Sequence, residues 1–175
     1  EQLIARAEDV HFAQDEIERR QAARQGSWAA VRARDYGLAG HSFGAHTVLA
    51  AAGQRYPAGI TLAEPRIAAF VALSPTLPAG DPRAALAGIT RPMLCITGTL
   101  DGDVVGNGAT PERRAAVFDA LPAGAKAQLL LRDADHFTFG GGTRTLGALQ
   151  SRRAAAATRL EDAHHRVVAA LTTDW

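Results

Sequence analysis

Hydrophobic positions along the chain follow two patterns, one typical of amphipathic helices and one typical of buried strands. In the first pattern, apolar residues such as Leu3, Ala7 and Val10 recur at spacings of three, four and seven, with charged residues between them. In the second pattern, a short run is apolar throughout, as expected for a strand that is covered on both faces of a sheet. The predicted helices are residues 2–24, 43–54, 111–121 and 151–171. The predicted strands are residues 35–40, 67–73, 93–97 and 127–131.

Glycine and proline separate these segments. The stretch after the second predicted strand contains Pro75, Pro78 and Pro82 and is expected to form a loop or a short helix. Residues 99–110 and 132–147 are rich in glycine and polar residues, and both are predicted as loops.

The order of the elements predicts the fold class. Strands that alternate with helices form right-handed βαβ units, which build a parallel sheet with helices on its faces. We therefore expect an α/β fold, a three-layer α/β/α sandwich with a mostly parallel sheet of about four strands. Functional loops on such a sheet lie at the carboxyl ends of the strands, here near residues 41, 74, 98 and 132.

Composition narrows the function classes. The 175 residues are 47% hydrophobic, enough for a single core, and the net charge of +1 provides no electrostatic basis for binding nucleic acid. The single cysteine excludes an internal disulfide framework and a cysteine-based zinc site. No apolar run reaches the roughly 18 residues of a transmembrane segment.

A G-x-S-x-G motif, Gly40-His41-Ser42-Phe43-Gly44, lies between a predicted strand and a predicted helix. A serine on such a sharp turn has a strained backbone and needs small neighbours, which the glycines provide. The turn raises the Ser42 hydroxyl above the sheet and directs the Phe43 backbone N–H toward the position of a developing oxyanion. The motif predicts Ser42 as a nucleophile.

A nucleophilic serine needs a base and a carboxylate, which are expected on neighbouring strand-end loops. Asp101 follows the third predicted strand and His136 follows the fourth, so the chain order Ser42, Asp101, His136 is that of this type of fold. Asp133 and Asp135 also compete for the role of the acid, and Asp103, further along the same loop as Asp101, is the main alternative.

The remaining candidates are expected to have supporting roles. His41 should pack beside the serine turn and Ser74 should line the substrate pocket, so both are predicted binding residues. Cys95 lies in a buried strand and is interpreted as a core residue. Asp101 and Asp103 resemble the start of a calcium loop, but Val105 stands where the next oxygen ligand is needed, so no metal site is expected.

The sequence resembles the α/β-hydrolase superfamily, and more closely its predicted dienelactone hydrolases and platelet-activating-factor acetylhydrolase-like esterases. The resemblance rests on the serine motif, residues 92–101 and Asp135-His136-Phe137. It implies Ser42 as nucleophile, Asp101 as acid and His136 as base. It covers nearly the whole chain but only the second half of the family's domain, so residues 1–175 are expected to be a single partial α/β-hydrolase domain without its first strands.

Two departures from the family affect the expected chemistry. Dienelactone hydrolases use a cysteine nucleophile, whereas this chain has Ser42. The loop that supplies the second oxyanion N–H belongs to the missing strands, so Phe43 is the one donor that the sequence identifies.

We expect a serine hydrolase that cleaves small-molecule carboxylic esters through an acyl-enzyme and needs no cofactor. Two alternatives remain open: a catalytically silent fragment or scaffold, and an acyltransferase that uses the same triad. A cytoplasmic and a secreted location are both compatible with the sequence, and so are different oligomeric states.

Overall fold

The computed structural model describes residues 1–32, 36–140 and 155–175. The strands are β1 (Gly37–His41), β2 (Ala69–Leu73), β3 (Met93–Leu100) and β4 (Lys126–Asp135). The helices are α1 (Gln2–Ala22), α2 (Phe43–Ala52), α3 (Pro82–Leu86), α4 (Pro111–Ala120) and α5 (Ala155–Asp174). Short 3-10 segments cover Gly26–Ala30, Pro57–Gly59 and His136–Gly140.

The described residues form a parallel four-stranded sheet in the order β1-β2-β3-β4. Side chains alternate between its two faces, as strand geometry requires. Phe70 of β2 and Cys95 of β3 pack under α2, α3 and α4, while Val71 and Ile96 face the layer that contains α5. The predicted three-layer α/β/α sandwich with a parallel sheet is therefore confirmed.

The fourth strand is longer than predicted. Residues 132–135, assigned to a loop from the sequence, continue β4, and the 3-10 turn His136–Gly140 follows directly. The pairing of β3 with β4 shifts register between Gly98 and Leu100, and Asp133 has a φ of 59°. This bulge interrupts the period-two pattern, which explains why the sequence did not indicate a strand there.

The same region contains a close approach between two strands. A Cβ on Gly98 would collide with the backbone carbonyl and the side chain of Ala134 in β4. Glycine at this position lets β3 and β4 come together just before the residues that follow them, Asp101 and His136.

Part of the predicted organisation lies outside the described residues. This applies to Asp35 at the start of the first predicted strand, to residues 141–147 of the predicted glycine-rich loop, and to residues 151–154 of the predicted last helix. Among the described helices, none combines the length and the apolar character needed to cross a lipid bilayer.

The buried carboxylate of Glu64 connects α1 to the rest of the fold. Glu64 is 1% exposed. It contacts His11 Nδ1 of α1 at 2.9 Å and accepts a hydrogen bond from Arg66 Nη2 at 2.6 Å. Arg66 also donates to Asp15 of α1 at 2.7 Å. The hydrogen bonds from Arg66 outweigh the effect of burial and lower the pKa of Glu64 to about 2.

We predict that Glu64→Gln lowers the free energy of unfolding at neutral pH by about 2 kcal/mol, because it removes the charge that Arg66 and His11 surround. Since the native pKa of Glu64 is depressed, the stability that its ionised form contributes is present above pH 4.5 and is lost as the pH falls toward 2. Urea titrations across this range measure the difference.

Glu16→Gln is the matched control, because Glu16 pairs only with Arg19 and Arg20 of its own helix among the described residues. It should change the stability little. An equally large effect of Glu64→Gln at about pH 2 and about pH 7 would contradict the assigned role of the charge.

Candidate active site

The turn between β1 and α2 places Ser42 just beyond the carboxyl end of β1. Ser42 has φ 57° and ψ −115°, a conformation that non-glycine residues rarely adopt. Its N–H donates to the Leu73 carbonyl at 3.0 Å, which continues the hydrogen bonding of β1 with β2 past the end of the strand. Phe43 is the first residue of α2, where the backbone N–H has no acceptor within the helix.

The two glycines of the motif have different environments. A Cβ on Gly40 would collide with the Gly44 carbonyl and would lie 3.0 Å from a methyl group of Val48. A Cβ on Gly44 would meet only the end of the Arg6 side chain, at 3.8 Å. Glycine is therefore sterically required at position 40 for the close packing of β1 on α2, and position 44 has room for a methyl group.

The carboxyl ends of β1, β3 and β4 bring together three side chains. His136 Nε2 lies 2.9 Å from Ser42 Oγ, and His136 Nδ1 lies 2.9 Å from Asp101 Oδ1. Because a carboxylate only accepts hydrogen bonds, Nδ1 carries the proton toward Asp101, and the neutral ring accepts from the Ser42 hydroxyl through Nε2. Asp101 is completely buried and His136 is 5% exposed.

The Asp101 carboxylate has several donors around it. The Ser74 and Thr97 hydroxyls donate to Oδ2 at 2.6 and 2.7 Å, and Arg114 Nε lies 3.0 Å from Oδ1. Burial by itself raises the pKa of Asp101, but the hydrogen bonds from His136, Ser74 and Thr97 and the charge of Arg114 together hold that pKa below its ordinary value.

Ser74 has a different position from the expected one. We predicted that it lines the substrate pocket, but its side chain is completely buried and its hydroxyl is directed at Asp101. Its φ of 53° turns the chain sharply at the end of β2. Ser74 therefore contacts Asp101 from the protein interior.

His41 lies beside the imidazole of His136. The centroids of the two rings are 4.7 Å apart. Burial, followed by the charge of His136, lowers the pKa of His41 to about 4, so His41 is neutral near pH 7. It therefore presents an uncharged ring to His136.

The carboxylates of Asp103 and Asp135, two of the competing aspartates, accept hydrogen bonds from other groups. Asp103 accepts hydrogen bonds from the N–H groups of Val105, Gly106 and Gly108, which lower its pKa to about 2. Asp135 accepts from the N–H and hydroxyl of Thr138 and stabilises the 3-10 turn that begins with His136. The N–H of Asp133 donates to Thr99.

Two residues in this arrangement were not identified from the sequence. Thr97 lies inside an apolar strand, and its hydroxyl gave no separate signal. Arg114 is 3% exposed and occupies the buried stripe of α4 together with Val117 and Ala120. A charged residue at an otherwise apolar helical position is the signal that would have identified it.

A groove of about 410 Å³ lies next to Ser42, between α1, β1 and α2. Its lining includes Gly40, His41 and Gly44, the neighbours of Ser42 in the motif, and Arg6 of α1. The Arg6 guanidinium lies 5.3 Å from the centre of the Phe43 ring and donates to Thr47 at 2.9 Å. Within the described ranges, no cluster of three or more His, Cys, Asp or Glu residues is arranged to hold a metal ion.

The chain is similar to two solved structures. One is a protein from Klebsiella pneumoniae subsp. pneumoniae MGH 78578 described as a "Putative Dienelactone Hydrolase", at 17% identity and a TM-score of 0.58, with 95% of this chain and 60% of that chain covered. The other is the esterase domain of a Rhodothermus marinus protein, at 20% identity and a TM-score of 0.43, with 74% and 57% covered. No protein-family model matches the chain, and no curated protein matches it either.

The first of these similarities establishes the fold. The chain has an α/β-hydrolase fold like that of the Klebsiella protein, which confirms the resemblance expected from the sequence at the level of structure. It spans 60% of the length of that protein.

We predict opposite effects of two alanine substitutions in the motif. Gly40→Ala should lower the free energy of unfolding by about 1–3 kcal/mol or prevent folding, because the added methyl group collides with the Gly44 carbonyl. Gly44→Ala should leave the stability unchanged or raise it by up to about 1 kcal/mol, since alanine is the better helix former. Urea denaturation measures both, and equal losses for the two variants would contradict the packing described here.

Proposed function

We propose that this protein is a serine hydrolase that cleaves carboxylic esters, with Ser42 as nucleophile, His136 as base and Asp101 as the acid that orients the base. The proposal is supported above all by the continuous path from Ser42 Oγ through both nitrogens of His136 to Asp101, with two contacts of 2.9 Å. The hydrolase fold of the chain agrees with it.

The mechanism begins with a proton transfer. Ser42 Oγ attacks the ester carbonyl while His136 Nε2 takes the hydroxyl proton. Asp101 stabilises the imidazolium that forms, and the lowered pKa of Asp101 keeps its own carboxylate ionised. His136 then gives the proton to the leaving alcohol, the carbonyl re-forms, and an acyl group remains on Ser42.

Water completes the cycle by the same steps. His136 takes a proton from water, the hydroxide attacks the acyl carbonyl, and the proton returns to Ser42 Oγ as the carboxylic acid leaves. During both attacks the carbonyl oxygen gains negative charge. The Phe43 N–H at the start of α2 is the donor that we assign to this oxygen, and the positive end of the helix dipole adds to the stabilisation.

The groove next to Ser42 is the space that we assign to the ester substrate. Its lining combines Gly40, Gly44 and the neutral His41 with the charged residues Arg6 and Asp9. The partly exposed Phe43 ring contacts Arg6, one of the lining residues.

We predict that the 175-residue chain is labelled once by a fluorophosphonate, at Ser42, and that it hydrolyses short p-nitrophenyl esters. Ser42→Ala should abolish the labelling and reduce turnover to about the background rate, because no other group takes the place of the nucleophile. Ser27→Ala, which removes an exposed hydroxyl outside the proposed triad, should behave like the wild type.

Mass spectrometry of the labelled protein and product analysis separate the alternatives. A folded chain that the reagent does not label would support a silent scaffold and contradict the proposal. Labelling together with transfer of the acyl group to an added alcohol, in preference to water, would instead indicate an acyltransferase.

We predict that Asp101→Asn lowers kcat by about 10³–10⁴, because an amide at this position favours the wrong tautomer of His136. Asp103→Asn is the matched control from the same loop, and it should change kcat no more than a few-fold. Ester hydrolysis at saturating substrate measures both. A large loss for Asp103→Asn with a small one for Asp101→Asn would reverse the assignment of the acid.

A further inference from the structure

We propose that Arg114 is a positioning residue for the triad, which fixes the Asp101 carboxylate and offsets its charge at His136. This inference rests on the proposed function. It concerns a residue that has no part in the bond-making steps and is too deeply buried to touch a substrate, since Arg114 is 3% exposed.

The guanidinium is surrounded by acceptors from the ends of β2 and β3. Arg114 Nε donates to the Asp101 carbonyl at 3.0 Å and lies 3.0 Å from the carboxylate oxygen Oδ1. Nη1 donates to the Ser74 carbonyl at 2.7 Å and to the Thr76 hydroxyl at 3.1 Å. Longer contacts reach the carbonyls of Pro75 at 3.5 Å and Gly102 at 3.4 Å.

These contacts tie two strand-end loops to one rigid group. The loop after β2 supplies Ser74, which donates to Asp101, and the loop after β3 supplies Asp101 itself. A planar guanidinium holds acceptors at fixed angles, which a lysine ammonium cannot do. The position of the carboxylate relative to His136 Nδ1 is therefore set from α4.

The charge of Arg114 has a separate effect. Asp101 next to His136 stabilises the imidazolium, and a cation at 3.0 Å from the same carboxylate weakens that stabilisation. Among the described residues, His41 of β1 and Arg114 of α4 lie close to the pair, and burial followed by the charge of Arg114 also lowers the pKa of His46 in α2.

Three variants separate the charge from the geometry. Arg114→Gln removes both, Arg114→Lys keeps the charge without the planar fork, and Arg113→Gln removes the exposed neighbouring charge as a control. We expect Arg114→Gln to lower kcat by about 10²-fold with little change in KM, because the carboxylate loses its position while the substrate surface is intact.

The pH dependence is the readout that a merely structural role would not change. In Arg114→Gln, the acidic limb of the kcat/KM profile and the NMR titration midpoint of the His136 ring should both move up by about one pH unit. In Arg114→Lys and in Arg113→Gln, the acidic limb and the titration midpoint should both stay at their wild-type positions. A lower melting temperature of Arg114→Gln without any shift of the midpoint would overturn the proposal.

The NMR measurement needs no substrate, so it distinguishes the failure of this inference from the failure of the proposed function. A wild-type chain that hydrolyses no ester would contradict the proposed function, while the effect of Arg114 on His136 is still read from the ring titration. If Arg114→Gln does not fold, the wild-type chain provides the test. The Arg114 Nε–H resonance should then shift with the same pH midpoint as the His136 ring, and a resonance that ignores this midpoint would contradict the coupling.

Discussion

The buried carboxylate of Asp101 is the constraint around which the carboxyl edge of the sheet is organised. An ionised group without solvent is costly unless hydrogen bonds and an opposite charge compensate it. Ser74 and Thr97 provide the hydrogen bonds from β2 and β3, and Arg114 provides the charge from α4. Each of these side chains satisfies the carboxylate and at the same time restricts its position, so the compensation of the charge also defines the geometry presented to His136.

The main features of the fold could be predicted because they depend on local signals. Apolar runs flanked by glycine and proline indicate buried strands, and their alternation with helices leaves a parallel sheet as the simplest topology. Once the strands are placed, Ser42, Asp101 and His136 fall at the same edge of the sheet. Their 2.9 Å contacts in the structure follow from topology and from the strained serine turn, both of which are visible in the sequence.

The parts that the sequence did not reveal depend on contacts between distant residues. Ser74 was expected at the pocket because its neighbours suggested a strand-end loop, and only the folded chain shows that its hydroxyl is directed at Asp101. Arg114 is separated from Ser74 by 40 residues. The extension of β4 to Asp135 was obscured by the bulge at Asp133, since a residue with a positive φ breaks the alternation on which strand prediction depends.

Gly98 links the spacing of two backbones to the chemistry at their ends. Because glycine has only a hydrogen atom in place of a side chain, Ala134 can approach Gly98 closely. The residue at this position therefore sets the distance between the strand ends that precede Asp101 and His136. A related protein with a bulkier residue at this position would need a longer loop after one of the two strands to keep the same distance between Asp101 and His136. In related proteins, a bulkier residue here should therefore be accompanied by a longer loop after β3 or after β4.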